Sequence, residues 1–154
     1  GQIDKIFANN RDDYRYEAYF RNRQLINGTS YNMFEKFKAT QDSIAGTIIP
    51  LLRISEAFYI AAECEPNPSD GLVWLKHVLT HRGVQNLTNE RYLASTLEKE
   101  YIREFWGEGQ LFFYYKRLKY PSIRRADDEY YYATKQMTLS DYQPLIPEEE
   151  SKYN

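Results

Sequence analysis

Three glutamates in one segment are the first residues to consider for chemistry. Glu100, Glu104 and Glu108 recur at intervals of four, so a helix would align their carboxylates along one face. Paired carboxylates can hydrolyse glycosides, but they must flank the sugar from opposite sides, which a single helical row does not do. Lys99 and Arg103 alternate with the glutamates and can neutralise them. The pattern therefore favours a salt-bridged helix face over an active site.

The last of these glutamates lies between Gly107 and Gly109 in the most aromatic stretch of the chain. A phosphate-binding loop needs a preceding strand and more glycines, and an acidic residue inside it would repel phosphate. We predict instead a bend between two helices, which the two glycines permit. A charge among aromatic side chains is costly unless it is paired. We therefore predict a basic partner for Glu108, with Arg53 and Arg117 as the first candidates.

The remaining reactive side chains are few. His77 and His81 would share one helix face, but with the single Cys64 they cannot build a common zinc site. We predict a solvated helix face for the two histidines. No Ser-His-Asp, Cys-His or HExxH arrangement can be assembled from the sequence. The sequence therefore predicts no catalytic residue, no metal and no cofactor.

The composition narrows the class of protein. A chain of 154 residues is long enough for one domain with a core, and its net charge of −2 argues against nucleic-acid binding. No window approaches the roughly 18 apolar residues of a membrane span. The chain carries 15 tyrosines. Tyrosine is typical of core edges, interfaces and sugar-stacking surfaces. The tyrosine content therefore leaves two interpretations open, a tyrosine-rich core and a binding surface.

Two helices are predicted around a proline-rich break. The first covers residues 50–64, with Pro50 at its first position. Its predicted apolar face consists of Leu51, Ile54, Phe58, Ala61 and Ala62. The second covers residues 71–83, capped by Ser69 or Asp70 and ended by Gly83. Its predicted apolar face consists of Leu72, Leu75, Val78 and Leu79. A short link between them predicts an antiparallel helical hairpin.

The rest of the chain is predicted from the same patterns. A long amphipathic helix covers 86–106, capped by Thr88 or Asn89, and a buried helix follows at 110–119. The predicted apolar face of the long helix consists of Leu93, Leu97, Tyr101, Ile102, Phe105 and Trp106. Residues 122–143 are predicted as a long loop, and 142–150 as an extended tail. Residues 14–20 are predicted to be extended. Asn27-Gly28 predicts a turn, with 31–37 as the returning strand.

The predicted fold class is mainly α, with a small β-hairpin and long irregular loops. The divisions are 1–49 irregular and hairpin, 50–120 helical, and 121–154 loop and tail. A helical hairpin followed by a long helix is similar to a tetratricopeptide unit. Such units are stable in arrays of about three or more, and the chain carries no second copy. We therefore expect the end of a larger helical array.

Four segments, in order, resemble the C-terminal half of the SusD/RagB family, the glycan-binding outer-membrane lipoproteins of Bacteroidetes. They are "DYR" (13–15) with "EKF" (35–37), "LLRISEAFYIAAEC" (51–64), "EYIREFWGEGQLFFYYKRLK" (100–119) and "LIPEEE" (145–150). The matching residues of the two long segments are Arg53, Glu56, Ala57, Ala62, Glu63, Glu100, Arg103, Glu104, Glu108, Gly109, Phe112, Phe113, Lys116 and Arg117. The chain departs from the family at Tyr101, Leu111 and Tyr114, where the family has charged residues.

The resemblance implies an all-α fold with tetratricopeptide-like helix pairs. It also implies a non-catalytic surface lipoprotein that binds starch-like or other polysaccharide-type oligosaccharides. Such proteins sit on a SusC-like TonB-dependent transporter of the outer membrane and hand glycans to it for import. The family's signal peptide and lipid anchor belong to its N-terminal half. Membrane attachment is therefore expected through a segment outside this sequence.

The glycan-binding residues are predicted from composition, because the family's ligand residues lie outside its shared motifs. Tyr130, Tyr131 and Tyr132 form a tyrosine run in the predicted loop and could stack on sugar faces. Trp74 and Trp106 fall on helices and are predicted to pack. Two alternatives stay open: a helical module that binds protein, and a glycan-acting enzyme that would need Glu104 or Glu108.

Overall fold

A computed structural model describes residues 6–7, 12–20, 23–38, 50–84, 89–125 and 133–143. The described residues are mainly helical with a small β-hairpin, as the sequence predicted, and they contain a second two-stranded antiparallel sheet that it did not predict. They fall into two compact units, one within Ile3–Glu104 and one within Phe105–Asn154. The helices are α1 (Tyr14–Phe20), α2 (Ile54–Cys64), α3 (Pro68–His81), α4 (Leu93–Glu104) and α5 (Leu111–Leu118). The strands are β1 (Arg23–Ile26), β2 (Thr29–Asn32), β3 (Ser122–Arg124) and β4 (Thr134–Gln136).

Helix α1 replaces the extended segment predicted for residues 14–20, so that prediction was wrong. Tyrosine and phenylalanine favour strands, which suggested alternation. The local signal that prevails is Asp13, whose Oδ1 accepts a hydrogen bond from the backbone N–H of Arg15 at 3.0 Å. An aspartate in this position caps a helix N-terminus. Arg15 and Phe20 are the buried residues of the helix.

The predicted turn at Asn27-Gly28 joins β1 to β2. Both residues have positive φ, 49° and 79°, as a two-residue hairpin turn of the mirror-image type requires. The register pairs Arg23 with Asn32 and Ile26 with Thr29. The second strand therefore begins at Thr29, directly after the turn, and the prediction of a strand at 31–37 was wrong.

Helices α2 and α3 form the predicted hairpin. Its contacts pair Ala62 with Gly71, and Phe58 with Trp74 and His77, so the two helices run in opposite directions. A Cβ atom on Gly71 would lie 2.4 Å from the carbonyl oxygen of Ala62, so glycine permits the close approach. The four apolar residues predicted for the face of α3 are all buried.

Helix α3 differs from the prediction at its N-terminus but agrees with it at its C-terminus. The cap is Asn67, whose Oδ1 accepts from the backbone N–H of Ser69 at 3.2 Å, and Pro68 occupies the first helical position. Ser69 and Asp70 therefore lie inside the helix. At the other end Gly83 has φ 80°, and Val84 N–H donates to the carbonyl of Leu79 at 3.0 Å. This is the Schellman arrangement that the glycine predicted.

Helix α2 begins at Ile54, four residues later than predicted, so Pro50 lies outside it. The predicted apolar face was also wrong, because Leu51 and Ile54 are 83% and 77% exposed. The buried residues are Ser55, Tyr59 and Ala62. Ser55 and Tyr59 carry hydroxyl groups. They can be buried on this face of α2 because the face contacts charged side chains instead of an apolar surface.

Helix α4 keeps its predicted apolar face, but not its predicted start. A 3₁₀ turn at Glu90–Tyr92 precedes it, and its first residue is Leu93. Of the two predicted caps, Asn89 precedes the 3₁₀ turn and Thr88 lies outside the described residues. Of the predicted apolar residues, Leu97, Tyr101, Ile102 and Phe105 are buried, whereas Leu93 and Trp106 are half-buried.

In the second unit the predicted bend is present before α5. Gly107 and Gly109 have φ values of 78° and 73°. Helix α5 is less buried than predicted, because its buried residues are Tyr114 and Tyr115, whereas Phe113 is 68% exposed. The eight-residue helix has only one buried side, so its aromatic residues cannot all pack inside.

Strands β3 and β4 replace part of the loop predicted for residues 122–143. They pair antiparallel, with Ser122 opposite Gln136. Each strand has three residues, which is too short for an alternating pattern to be recognised in the sequence. A 3₁₀ turn at Ser140–Tyr142 follows, and the hydroxyl of Tyr142 donates to the carbonyl of Tyr120 at 2.9 Å.

Candidate functional site

The most concentrated chemistry of the described residues is a group of charged side chains in the first unit, which we call the ion cluster. It connects the N-terminus of α1, the start of α2, the end of α3 and most of α4. Its members are Asp13, Arg15, Arg53, Arg82, Glu100, Arg103 and Glu104. Five of them are buried, and Arg53 and Arg82 are partly exposed.

Arg15 is the central cation of the ion cluster. Its Nε and Nη2 donate to the two carboxylate oxygens of Asp13 at 3.0 and 2.7 Å, a two-pronged contact that guanidinium geometry favours. Nη2 also donates to Glu100 at 2.6 Å, and Nη1 to Glu104 at 3.0 Å. Burial disfavours the charged guanidinium, but Glu100 and Asp13 outweigh it and raise the pKa of Arg15 well above its ordinary value.

Glu104 is the carboxylate with the most partners. Arg82 Nη2 donates to both of its oxygens at 2.9 Å, and Ser55 Oγ donates to Oε1 at 3.0 Å. Arg53 Nη1 lies 3.7 Å from Oε1 and donates to the main-chain carbonyl of Glu104 at 2.8 Å. Lys36 Nζ donates to the same carbonyl. These cations gather at the C-terminal end of α4, where the helix dipole favours positive charge.

Glu100 links the two sides of the ion cluster. Its Oε2 accepts from Arg15 and, at 3.3 Å, from the hydroxyl of Tyr59, while Oε1 accepts from Arg103. Arg103 also donates twice to the carbonyl of Ile6, at 2.9 and 2.7 Å. The three carboxylates of the cluster are thus shielded from solvent and engaged by donors. Such an arrangement holds helices in register.

Two tyrosines beside the ion cluster, Tyr19 and Tyr59, should make the folded protein less stable at alkaline pH. Burial, and then the Glu100 charge, raise the pKa of Tyr59 well above its ordinary value of 10.0. Burial, and then Glu104, raise the pKa of Tyr19 to about 12. A tyrosine whose pKa is higher in the folded protein than in the unfolded chain contributes to stability while it is neutral. That contribution is complete below about pH 10 and is lost as the pH rises through the folded-state pKa. We expect the urea midpoint to fall between about pH 10 and 12.

The matched variants for this prediction are Tyr59→Phe and Tyr14→Phe. Removing the Tyr59 hydroxyl lowers stability at neutral pH through its lost hydrogen bond, but it should flatten the alkaline decline. Tyr14 is 67% exposed, so its variant should keep the wild-type decline. Equal alkaline slopes in wild type and Tyr59→Phe would count against the prediction.

Some of the residues predicted from the sequence lie in the described part of the chain, and others lie outside it. The tyrosines predicted to bind glycan, Tyr130, Tyr131 and Tyr132, lie outside the described residues. Of the cations predicted to neutralise the glutamate row, Arg103 binds Glu100, whereas Lys99 is exposed. The histidines are exposed, as predicted.

The predicted basic partner of Glu108 stays a prediction. Glu108 belongs to the second unit and is half-buried, with Oε2 shielded from solvent. Arg53 binds Glu104, and Arg117 lies over the ring of Tyr114 at 5.7 Å. Glu56, matched through the family resemblance, is half-buried in the first turn of α2.

One of the tryptophans departs from its predicted packing. Trp74 is 40% exposed, and its Nε1 donates to Glu65 at 2.9 Å while its ring lies beside Phe58. Trp106 is half-buried. The Trp74 indole therefore covers the surface of the helical hairpin and is only partly withdrawn from solvent.

Sequence reasoning missed the central residues of the ion cluster. Asp13 and Arg15 entered only as part of a weak family match, and Tyr59 was not singled out. The signal available was the combination of an aspartate cap and a lone arginine within an aromatic segment, a position where an unpaired charge would be costly. That signal does not name the partner carboxylates, which lie more than 80 residues further along the chain.

No family model, curated protein or solved structure gives a significant match to this chain. Among the described residues, no helix combines the length and the apolar character needed to cross a membrane. The same residues contain no group of three or more His, Cys, Asp or Glu side chains placed to hold a metal ion.

Proposed function

We propose that this chain is a divergent SusD-type protein that binds glycan without catalysis at the outer surface of the cell. In this proposal it is the C-terminal portion of the family's fold, with tetratricopeptide-like helix pairs. It acts beside a SusC-like TonB-dependent transporter of the outer membrane. Its membrane attachment is a lipid anchor on a segment outside this sequence.

The observation that carries the proposal is where the family-like segments meet. Asp13 and Arg15 come from the "DYR" segment, Lys36 from "EKF", and Arg53 from the α2 segment. Arg15, Lys36 and Arg53 all bind Glu104, which comes from the α4 segment. Segments that resemble one family and lie far apart in sequence thus share one buried contact network.

A glycan-binding role also agrees with the aromatic surface of the chain. Tyr14 and Tyr92 are each more than half exposed, and Phe113 is 68% exposed. Aromatic rings with polar tips stack on sugar faces while they tolerate water. The binding residues proposed here are still Tyr130, Tyr131 and Tyr132, because they form the densest tyrosine run in the sequence.

The decisive experiment is affinity electrophoresis of the protein in gels that contain starch, other α-glucans, β-glucans or mannans. We expect retardation by at least one polysaccharide and no change in the length of any oligosaccharide after incubation. The triple variant Tyr130→Ala, Tyr131→Ala, Tyr132→Ala should migrate as in a gel without polysaccharide. Tyr31→Ala, at an exposed hairpin tyrosine, is the matched control and should keep the retardation. Absence of retardation in every gel would refute glycan binding by this chain.

The second candidate function is a helical module that binds protein. Its support is the exposed apolar surface before and on α2, where Leu51, Leu52 and Ile54 are each more than three-quarters exposed. Exposed clusters of this kind mark interaction sites. Recovery of a defined protein partner that Ile54→Lys no longer binds, with no polysaccharide retardation, would favour this candidate over glycan binding.

A further inference from the structure

The two histidines of the chain form a contact pair on the surface of α3. His77 and His81 are one helical turn apart, both are exposed, and their ring centroids are 4.5 Å apart. A solvated helix face does not require this proximity. The sequence contains no other histidine, so any imidazole property of the protein comes from this pair.

A hydrogen bond restrains the ring of His81. His81 Nδ1 lies 2.7 Å from the carbonyl oxygen of His77. A carbonyl oxygen only accepts hydrogen bonds, so Nδ1 carries the proton and Nε2 keeps its lone pair. Histidine ligands of metals are commonly held in this way, with the second ring nitrogen bound to a carbonyl. The ring is thereby held in the tautomer that coordinates through Nε2.

His77 is restrained by a different contact. Its ring stacks on Phe58, with centroids 4.9 Å apart and planes inclined by 25°. Stacking covers a face of the imidazole, whereas the lone pair that a neutral imidazole uses to bind a metal lies in the ring plane. The phenylalanine therefore reduces the rotational freedom that His77 would lose on binding an ion.

The helix dipole also favours a cation at this end of α3. His81 lies in the last turn of α3, where the helix dipole presents its negative end. Arg82, the next residue, directs Nη2 to Glu104. Arg82 and Lys76, which precedes His77 in sequence, are the neighbouring cations that oppose a metal ion, and both are half-buried.

We propose that His77 and His81 chelate one divalent transition-metal ion, with Cu²⁺ bound more tightly than Ni²⁺ or Zn²⁺. Imidazole suits these ions, and copper heads the general order of affinity for nitrogen sites. The described residues offer no cluster of three ligands, so water completes the coordination. The site is independent of glycan binding and would leave open positions on the metal.

The test is titration of the tag-free protein with CuCl₂, NiCl₂ and ZnCl₂ by calorimetry, in a Cys64→Ser background that removes the exposed thiol. Electron paramagnetic resonance of the Cu²⁺ form reports how many imidazole nitrogens bind. We expect one Cu²⁺ per chain with two imidazoles. His77→Ala and His81→Ala should each weaken Cu²⁺ binding by at least about tenfold and leave one imidazole.

The matched control is the double variant Lys76→His, His77→Ala. It keeps two histidines but separates them by five residues, so they no longer share a helix face. It should bind Cu²⁺ as weakly as a single-histidine variant. MgCl₂ and CaCl₂ should give no binding heat, because these ions prefer oxygen ligands. Wild-type affinity in the double variant, or in either alanine variant, would overturn the proposal, as would a single-imidazole spectrum in the wild type.

Discussion

Glu104→Gln is expected to destabilise the protein by about 3–5 kcal/mol, the usual cost of removing one partner from a buried ion pair. The amide keeps the shape of the carboxylate but removes its charge and places an N–H₂ group among donors. Arg15, Arg82 and Ser55 all donate to the Glu104 carboxylate. At least one of these donors would lose its acceptor in a site that is 3% exposed.

Urea unfolding followed by circular dichroism measures this effect, with Glu17→Gln as the matched control. Glu17 is an exposed carboxylate of α1, and its variant should change the free energy of unfolding by less than about 0.5 kcal/mol. A loss of less than about 1 kcal/mol for Glu104→Gln would show that the ion cluster is not needed for stability. If the variant does not fold, Glu104→Asp keeps the charge and should recover a folded protein.

The helices themselves could be predicted from the sequence because their signals are local. The buried face of α3 follows from apolar spacing alone, and Gly83 marks its end by the Schellman arrangement. The Asn27-Gly28 turn was equally explicit, since few residue pairs accept two positive φ angles. These features depend on residues within one or two turns of each other.

The site could not be predicted in the same way, because its partners are distant and polar. The buried face of α2 carries Ser55 and Tyr59, whereas the spacing of apolar residues pointed to Leu51 and Ile54. Hydrophobic periodicity identifies a buried face only when that face meets an apolar surface. Here the neighbours are Arg15, Glu100 and Glu104, so the burial of hydroxyls follows from tertiary contacts that periodicity does not contain.

The carboxylate row illustrates the same limit. Its spacing correctly aligned Glu100 and Glu104 on α4, whereas Glu108 lies beyond the end of that helix, and Arg103 was correctly expected to pair within the helix. The dominant cation, Arg15, comes instead from α1. Spacing within one helix predicts neighbours on its own surface, but it cannot identify a cation supplied by another helix.

The second large effect is expected at Arg15. Arg15→Met should cost about 3–5 kcal/mol, because Asp13, Glu100 and Glu104 would then share a buried site without their common cation. Arg15→Lys keeps the charge but cannot reproduce the guanidinium fork, so we expect it to recover only part of the loss. Arg23→Met, at an exposed arginine of β1, should change the free energy of unfolding by less than about 0.5 kcal/mol.

A double-mutant cycle separates the Arg15–Glu104 contact from the rest of the ion cluster. The single variants Arg15→Met and Glu104→Gln each leave a buried charge with fewer partners, whereas the double variant removes one charge of each sign. Its destabilisation should therefore be smaller than the sum of the single values by about 0.5–3 kcal/mol, the range found for residues in contact. The urea midpoints of the four proteins are converted to free energies of unfolding with a common denaturant slope, and the differences give the coupling energy between Arg15 and Glu104. Additive losses would mean that Arg15 stabilises the fold through Asp13 and Glu100 alone, and that the contact measured at 3.0 Å adds nothing.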